Sequence, residues 1–251
     1  MMNLPTISCL CHTKNKRAIL ERAIRCFKAQ TYRNKDLLII FEDNNTIAPE
    51  VLADINDATI SYLKIPSELK LSLGEQRNMA VQHCKGDYFC IWDDDDWYHS
   101  CRLEHQMNSI LFSQKPSSML SFYIMFDEYE NQAYLSQIRL YESSLLCKKT
   151  VFNGDTIYAP LHKMEDTHLS NNLIAKNYVF PLVMPQLYIY NYHGNNTWHR
   201  EHFEFMFKYA QKLSEEASFK IKDIMDNKLN EVEGSEYLSS ASFLASLRYV
   251  K

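Results

Sequence analysis

Between residues 6 and 92, short apolar runs of strand length alternate with stretches whose apolar residues recur at helical spacing, and this alternation restricts the chain more than any other feature. "TISCLC" (6–11) is followed by "AILERAIRCFKAQ" (18–30), where Ile19, Ala23, Ile24 and Phe27 share a helical face. "DLLIIFED" (36–43) reads as a strand, "PEVLADIN" (49–56) as a short helix and "ATISYLKI" (58–65) as a third strand. The helix "LGEQRNMAVQHC" (73–84) and the strand "DYFCIW" (87–92) complete the series. Strands alternating with helices imply βαβ units with right-handed crossovers and a mostly parallel α/β sheet. Ligands of such sheets bind beyond the carboxyl ends of the strands.

The pattern changes after residue 115. "SSMLSFYIMFDEY" (117–129) and "SSLLCKKTVF" (143–152) read as strands with no helix between them. "EDTHLSNNLIAKN" (165–177) reads as a helix, and "YVFPLVMPQLYIYNYH" (178–193) as two short strands broken by prolines. This half is expected to continue the same sheet in mixed, partly antiparallel fashion. From about 200 to 250 the chain is expected to be helical, with Phe203, Met206, Phe207, Ala210, Leu213, Ala217, Ile221 and Ile224 in one apolar stripe. Such a stripe packs on the core or on a second subunit. A peripheral membrane contact would want a more basic opposite face.

The 251 residues are 46% hydrophobic and 23% charged, as in a soluble globular protein, and the net charge of -4 argues against nucleic acid as partner. No apolar run approaches a membrane span, and seven cysteines without a C-x-x-C pair fit a reduced, cytoplasmic protein rather than a zinc site. The five glycines, Gly74, Gly86, Gly154, Gly194 and Gly234, are too dispersed for G-x-G-x-x-G or a P-loop. A phosphorylated ligand would need a metal ion in place of a glycine cradle.

The run "WDDDDWY" places Asp93, Asp94, Asp95 and Asp96 at the end of an expected buried strand. Two such charges about 4 Å apart repel by roughly 4 kcal/mol at an effective dielectric near 20. In an extended segment Asp93 and Asp95 would face the same side about 6.5 Å apart. That spacing suits one hard cation, Mn²⁺ or Mg²⁺, shared with a diphosphate. Arg77 interrupts the apolar face of its helix one turn from the start, where a cation opposes the helix dipole. A nearby anion, a diphosphate or the Asp cluster, and an internal salt bridge to a carboxylate explain it equally well. Asp166 and Glu165 open the 165–177 helix, where capping alone accounts for them. His193 lies in the polar turn "YNYHGNNTWH", a metal or phosphate ligand or simply a surface turn residue.

Together these segments resemble the family 2 glycosyltransferases of GT-A fold, over about residues 4–200. "GEQRNMAVQHCKGDYFCIWDDDDWY" is similar to that family's arginine-bearing helix and the strand delivering its D-x-D metal motif. "PTISCLCHTKN", "AIRCFKAQTYRNKDLLIIFEDN", "MEDTHL" and "YHGNNTW" follow in the family's order. The resemblance implies a GT-A catalytic domain over 1–200, with a nucleotide-sugar half (1–99), an acceptor half (100–200) and a C-terminal helical extension (201–251). It implies that Asp43 contacts the base, and that His12, Lys14, Arg77, Asp93 and Asp94 surround the nucleotide. Asp95, Asp96 and His193 become metal contacts, with the choice between Asp95 and Asp96 open. Asp166 becomes the catalytic base and Glu165 its support. Lys14 departs from the family's common tyrosine and His12 from its proline or threonine.

The implied activity is inverting, metal-dependent transfer from a nucleoside-diphosphate sugar, a UDP-sugar by family habit. The acceptor is a glycan or lipid-linked saccharide of the cell surface, and the setting is cytoplasmic, at most peripheral to the inner face of the membrane. A homodimer through the C-terminal helices is a further expectation. Rival readings are a metal-dependent nucleotidyl- or phosphoryltransferase and a non-catalytic sugar-nucleotide or glycan binding module.

Overall fold

A computed structural model describes residues 4–14 and 16–248. Asn15 of the opening motif and residues 249–251 of the expected C-terminal helix lie outside the described residues. The first half runs β1 (Ile7–His12), α1 (Arg17–Lys28), β2 (Lys35–Glu42), α2 (Ile47–Ala53), β3 (Ile60–Ile65), α3 (Leu73–His83) and β4 (Tyr88–Ile91). These match the expected elements within a few residues. α3 starts where Ser72 and Glu75 form a reciprocal capping box, with Ser72 N–H donating to the Glu75 carboxylate at 2.8 Å.

Then follow β5 (Trp97–Tyr98), α4 (Arg102–Ser113), β6 (Ser117–Leu120), β7 (Ile124–Asp127), β8 (Gln132–Leu135), β9 (Leu146–Lys148), α5 (Glu165–Ala175), β10 (Val179–Leu182) and β11 (Tyr188–Tyr192). The chain continues with α6 (Arg200–Tyr209), β12 (Gln211–Lys212), α7 (Glu215–Met225), α8 (Glu231–Ser239) and α9 (Ala241–Ser246).

Among the described residues the strands form two sheets, ordered β10-β6-β9-β4-β1-β2-β3 and β12-β8-β7-β11-β5. In the larger sheet β4, β1, β2 and β3 are parallel, and β9 alone runs antiparallel, between β4 and β6. The two faces of this sheet bury separate apolar clusters. Cys9, Leu37, Ile39 and Cys90 point toward α1 and the smaller sheet, while Leu10, Leu38, Ile40 and Ile91 point toward α3 and α5. Period-two alternation of side chains makes this possible only because both faces are covered.

Three expectations need correction. The second half is not one continuation of the first sheet: the run 117–129 splits into β6 and β7, which join different sheets, because the chain bends at residues 121–123. Helix α4 was not anticipated. The apolar stripe from Phe203 is divided between α6 and α7 by β12; Phe203 is buried, and Leu213, Ala217, Ile221 and Ile224 belong to the chain's own core. Packing on the core, one of the two readings of the stripe, thus holds for these residues, while Met206, Phe207 and Ala210 stay half-buried.

Candidate active site

A cleft of about 720 Å³ opens beyond the carboxyl ends of β1, β2 and β4. It is lined by His12 at the end of β1, Thr13 and Lys14 beyond it, Glu42 at the end of β2, and Asp93 to Asp95 after β4. Residues 162–166, Tyr190 and the segment from His193 to Trp198 complete the lining.

Residues 94–96 form a turn rather than an extended strand, so the carboxylates do not alternate. Asp93, Asp94 and Asp95 all reach the cleft; Asp96 turns away and is fully buried. The Asp96 carboxylate accepts from the Tyr188 hydroxyl and from the Asn191 N–H at 2.9 Å. The expectation of Asp96 as a metal ligand is therefore corrected: its oxygens are turned inward to β11. Asp93 accepts from Arg77 Nη2 at 3.2 Å, and Asp95 from His193 Nε2 at 3.1 Å and Asn196 Nδ2 at 3.3 Å. Asn195 N–H donates to His193 Nδ1 at 3.2 Å, so Nδ1 is the acceptor and Nε2 carries the proton it shares with Asp95.

Burial, followed by the charge of Asp95, pushes Asp94 up to about 7, although the Thr13 hydroxyl and Lys14 backbone oppose the shift. Burial lifts Asp93 to about 6 even against the attraction of Arg77. Both shifts come first from burial, and the charge of Asp95 adds to each. Among the described residues no group of three or more His, Cys, Asp or Glu side chains could enclose a metal ion. The open carboxylate cluster instead fits a hard divalent cation that completes its shell with water and phosphate oxygens.

Arg77 is buried, with Nη1 3.4 Å from the Glu165 carboxylate and Nη2 on Asp93. Its guanidinium also lies 5.5 Å from the Tyr158 ring centroid. Arg77 thus meets both the aspartate cluster, through Asp93, and a further carboxylate of the chain, Glu165, and it lines the cleft. Arg77 ties the aspartate turn to the start of α5. That start is also fixed from α3: Gly74 N–H donates to Leu161 O at 3.0 Å, and a Cβ on Gly74 would lie 1.7 Å from Ala159 O. Only glycine allows this approach. Asn78 adds a reciprocal pair with the Tyr158 backbone, at 2.9 and 3.0 Å.

Helix α5 has Met164 as its N-cap, at φ 60, with no side-chain cap bond. Asp166 therefore does not cap the helix. It lines the cleft, and its carboxylate makes no hydrogen bond or salt bridge among the described residues. Glu165 is 5% exposed, and burial raises its pKa against the opposing charge of Arg77.

His12 lines the cleft with a buried Nε2 that has no hydrogen-bond partner; burial, then Arg77, lower its pKa to about 3, so it is neutral. Lys14 is exposed at the rim. Asp43 does not belong to the cleft: it is exposed and accepts from Ser67 N–H at 2.9 Å. Its neighbour Glu42 faces the cleft instead, accepting from Gln76 Nε2 at 3.0 Å. One residue along a strand reverses the side-chain direction. Asn196 and Lys163 were also not anticipated; Lys163 Nζ lies 5.3 Å from the centroid of Trp198, whose ring stacks on His202.

A mixed sheet covered by helices on both faces, with an acidic turn at the end of β4, makes this a GT-A fold. The chain belongs to glycosyl transferase family 2, whose family model matches residues 8–165. Among curated relatives, the amylovoran biosynthesis glycosyltransferase AmsB of Erwinia amylovora is 32% identical over 88 residues, 34% of this chain and 29% of that protein. The putative colanic acid biosynthesis glycosyl transferase WcaA of Escherichia coli is 24% identical over 164 residues, 62% of this chain and 56% of that protein. The matches thus span from under a third to just over half of these relatives' lengths. Among solved structures, S. aureus TarS 1-349 superposes with a TM-score of 0.59 at 13% identity, covering 94% of this chain and 73% of that one. The mannosyltransferase PcManGT of Pyrobaculum calidifontis, in complex with GDP-Man and Mn²⁺, gives 0.60 at 10% identity, covering 98% and 77%. At these identities the superpositions speak for the fold alone. No helix among the described residues is long and apolar enough to cross a membrane.

Proposed function

We propose that the chain is an inverting glycosyltransferase that moves a sugar from a nucleoside-diphosphate sugar, preferentially a UDP-sugar, to a hydroxyl of a glycan or lipid-linked saccharide in cell-surface polysaccharide biosynthesis. The observation that carries this is Asp166: a carboxylate without a hydrogen bond or salt bridge, in the same cleft as Asp93 to Asp95. A general base needs a free carboxylate within reach of the attacking hydroxyl, and a site built only to bind does not. The names of AmsB and WcaA favour a polysaccharide acceptor, and TarS has been solved with UDP-GlcNAc.

In this reading Asp166 takes the proton of the acceptor hydroxyl as that oxygen attacks the anomeric carbon on the face opposite the leaving diphosphate. Arg77 and Glu165 hold the base's helix against the aspartate turn. Glu42, in the place expected of Asp43, accepts a ring N–H of the base, which uracil and guanine offer and cytosine does not. Asp93 and Asp95, with His193 beside them, would hold Mn²⁺ or Mg²⁺, which when bound neutralises charge on the departing diphosphate. The donor half over 1–99, the acceptor half over 100–200 and a cytoplasmic setting belong to the same proposal.

Calorimetric titration with UDP, GDP, dTDP and CMP, with Mn²⁺ and again with EDTA, tests the donor site. One diphosphate should bind, only with metal. With the matching sugar donor, Asp166→Asn should cut turnover by about 10²- to 10⁴-fold while diphosphate binding survives. No metal-dependent binding, or an unimpaired Asp166→Asn, would refute the reading.

A further inference from the structure

Arg22, on the inward face of α1, is 6% exposed and forms no salt bridge among the described residues. Its guanidinium donates instead to two backbone carbonyls: Nη2 to Asp95 O at 2.7 Å and Nη1 to Met225 O at 3.2 Å. Met225 is the last residue of α7, so its carbonyl is one of those a helix end leaves without an internal partner, and a cation there is favoured by the helix dipole. Asp95 O belongs to the peptide linking Asp95, which faces the cleft, to Asp96, which faces the interior. Holding that carbonyl toward α1 fixes the peptide plane at the point where successive carboxylates part company. It also brings a positive charge to the inner side of a turn that carries four carboxyl groups.

We propose that Arg22 is a positioning residue for the cation- and diphosphate-binding turn, coupling the orientation of Asp95 to the C-terminal end of α7. This rests on the donor-site reading above and extends it. The functional site then includes residues well beyond 165, where the family match ends. Neighbouring contacts run the same way. Ser100 N–H donates to Ser235 Oγ at 2.9 Å, His99 Nε2 lies 3.0 Å from Ser235 O, and Arg25 pairs with Glu231 at 2.8 Å. The C-terminal helices therefore grip the segment 95–100 from behind, and Arg22 is the contact that touches the aspartate turn itself.

The test is the affinity of wild type, Arg22→Lys and Arg22→Met for Mn²⁺ with the diphosphate that wild type prefers, alongside KM for donor, kcat and the melting curve. Arg22→Met removes both donors and should weaken diphosphate binding by about tenfold. KM should rise by a similar factor and kcat change less, because Asp166 is untouched. Arg22→Lys keeps the charge but lacks the fork that spans two carbonyls, and should fall between the two. A folded Arg22→Met with wild-type affinity would overturn the proposal. Should that variant not fold, Arg22→Lys decides: wild-type affinity overturns the proposal, and reduced affinity with raised KM supports it. A wild type that binds no diphosphate with Mn²⁺ would sink the donor-site reading and this inference with it, an outcome distinct from variants that match a binding wild type.

Discussion

Asp93, Asp94 and Asp95 face a shared cleft and repel one another, whereas Asp96 is satisfied by Tyr188 and Asn191 in the interior. The cleft-facing charges have a titration consequence. Asp94 near 7 and Asp93 near 6 both lie above the ordinary carboxylate value, burial being the main cause and Asp95 a further one. Protons therefore compete with a cation in this window. Diphosphate binding with Mn²⁺ should weaken as pH falls from 8 to 5.5 and should release protons, which titration in buffers of different ionisation heat measures directly. In the absence of cation the sign for stability is the reverse. The folded chain takes up protons that the unfolded chain does not, so these two groups add stability as pH falls through 7 to 6. Affinity independent of pH over that range would contradict the assignment. The acidic run itself was legible in the sequence. The direction of each carboxylate was not, because 94–96 is a turn and period-two reasoning applies only to strands. The exchange of Asp43 for Glu42 has a similar origin, a one-residue error in where β2 ends.

At the scale of elements, the start of α5 is held by its docking on α3 rather than by its own capping. Gly74→Ala is the sharpest probe. Alanine would raise helix propensity by about 1 kcal/mol, but the added Cβ would meet Ala159 O at 1.7 Å, and backbone cannot yield as a side-chain tip can. The clash wins: a net loss on the order of 2 kcal/mol is expected in urea denaturation. Because the displaced segment leads into Glu165 and Asp166, turnover should fall along with it. Unchanged turnover and stability would mean that the contact does not set the base. The elements of the first half were legible because each strand is a short apolar run and α1 is strongly periodic, while Ser72 and Glu75 mark the start of α3. β6 and β7 were not, since "SFY" between them contains neither Gly nor Pro to mark the bend.

Across the whole molecule, the core on one side of the main sheet runs from Ile7 to Leu247 and takes in both the smaller sheet and the C-terminal helices. Shared burial of this kind makes separate unfolding of residues 201–248 unfavourable, so a single thermal transition is expected. Saturation with Mn²⁺ and the preferred diphosphate at 100 times Kd should stabilise that transition by about 2.7 kcal/mol. For a chain of this size that is a rise of roughly 5–10 °C in Tm. EDTA should abolish the shift. Two transitions, with only one responding to ligand, would show that the C-terminal helices fold apart from the site.

The sequence by itself determined the α/β alternation, the acidic run at the end of a central strand, the basic residue on α3 and the carboxylate pair opening α5, because each is written in local periodicity and spacing. The tertiary structure decided which carboxylates share the cleft, that Arg77 bridges Asp93 and Glu165, that much of the helical stripe packs on the chain's own core, and that the aspartate turn is held from behind. Those outcomes depend on contacts distant in sequence: Arg22 lies 73 residues from Asp95 and 203 from Met225. A side chain's direction in a turn follows the peptide planes around it, and those planes are set by whichever groups the fold brings within hydrogen-bonding distance.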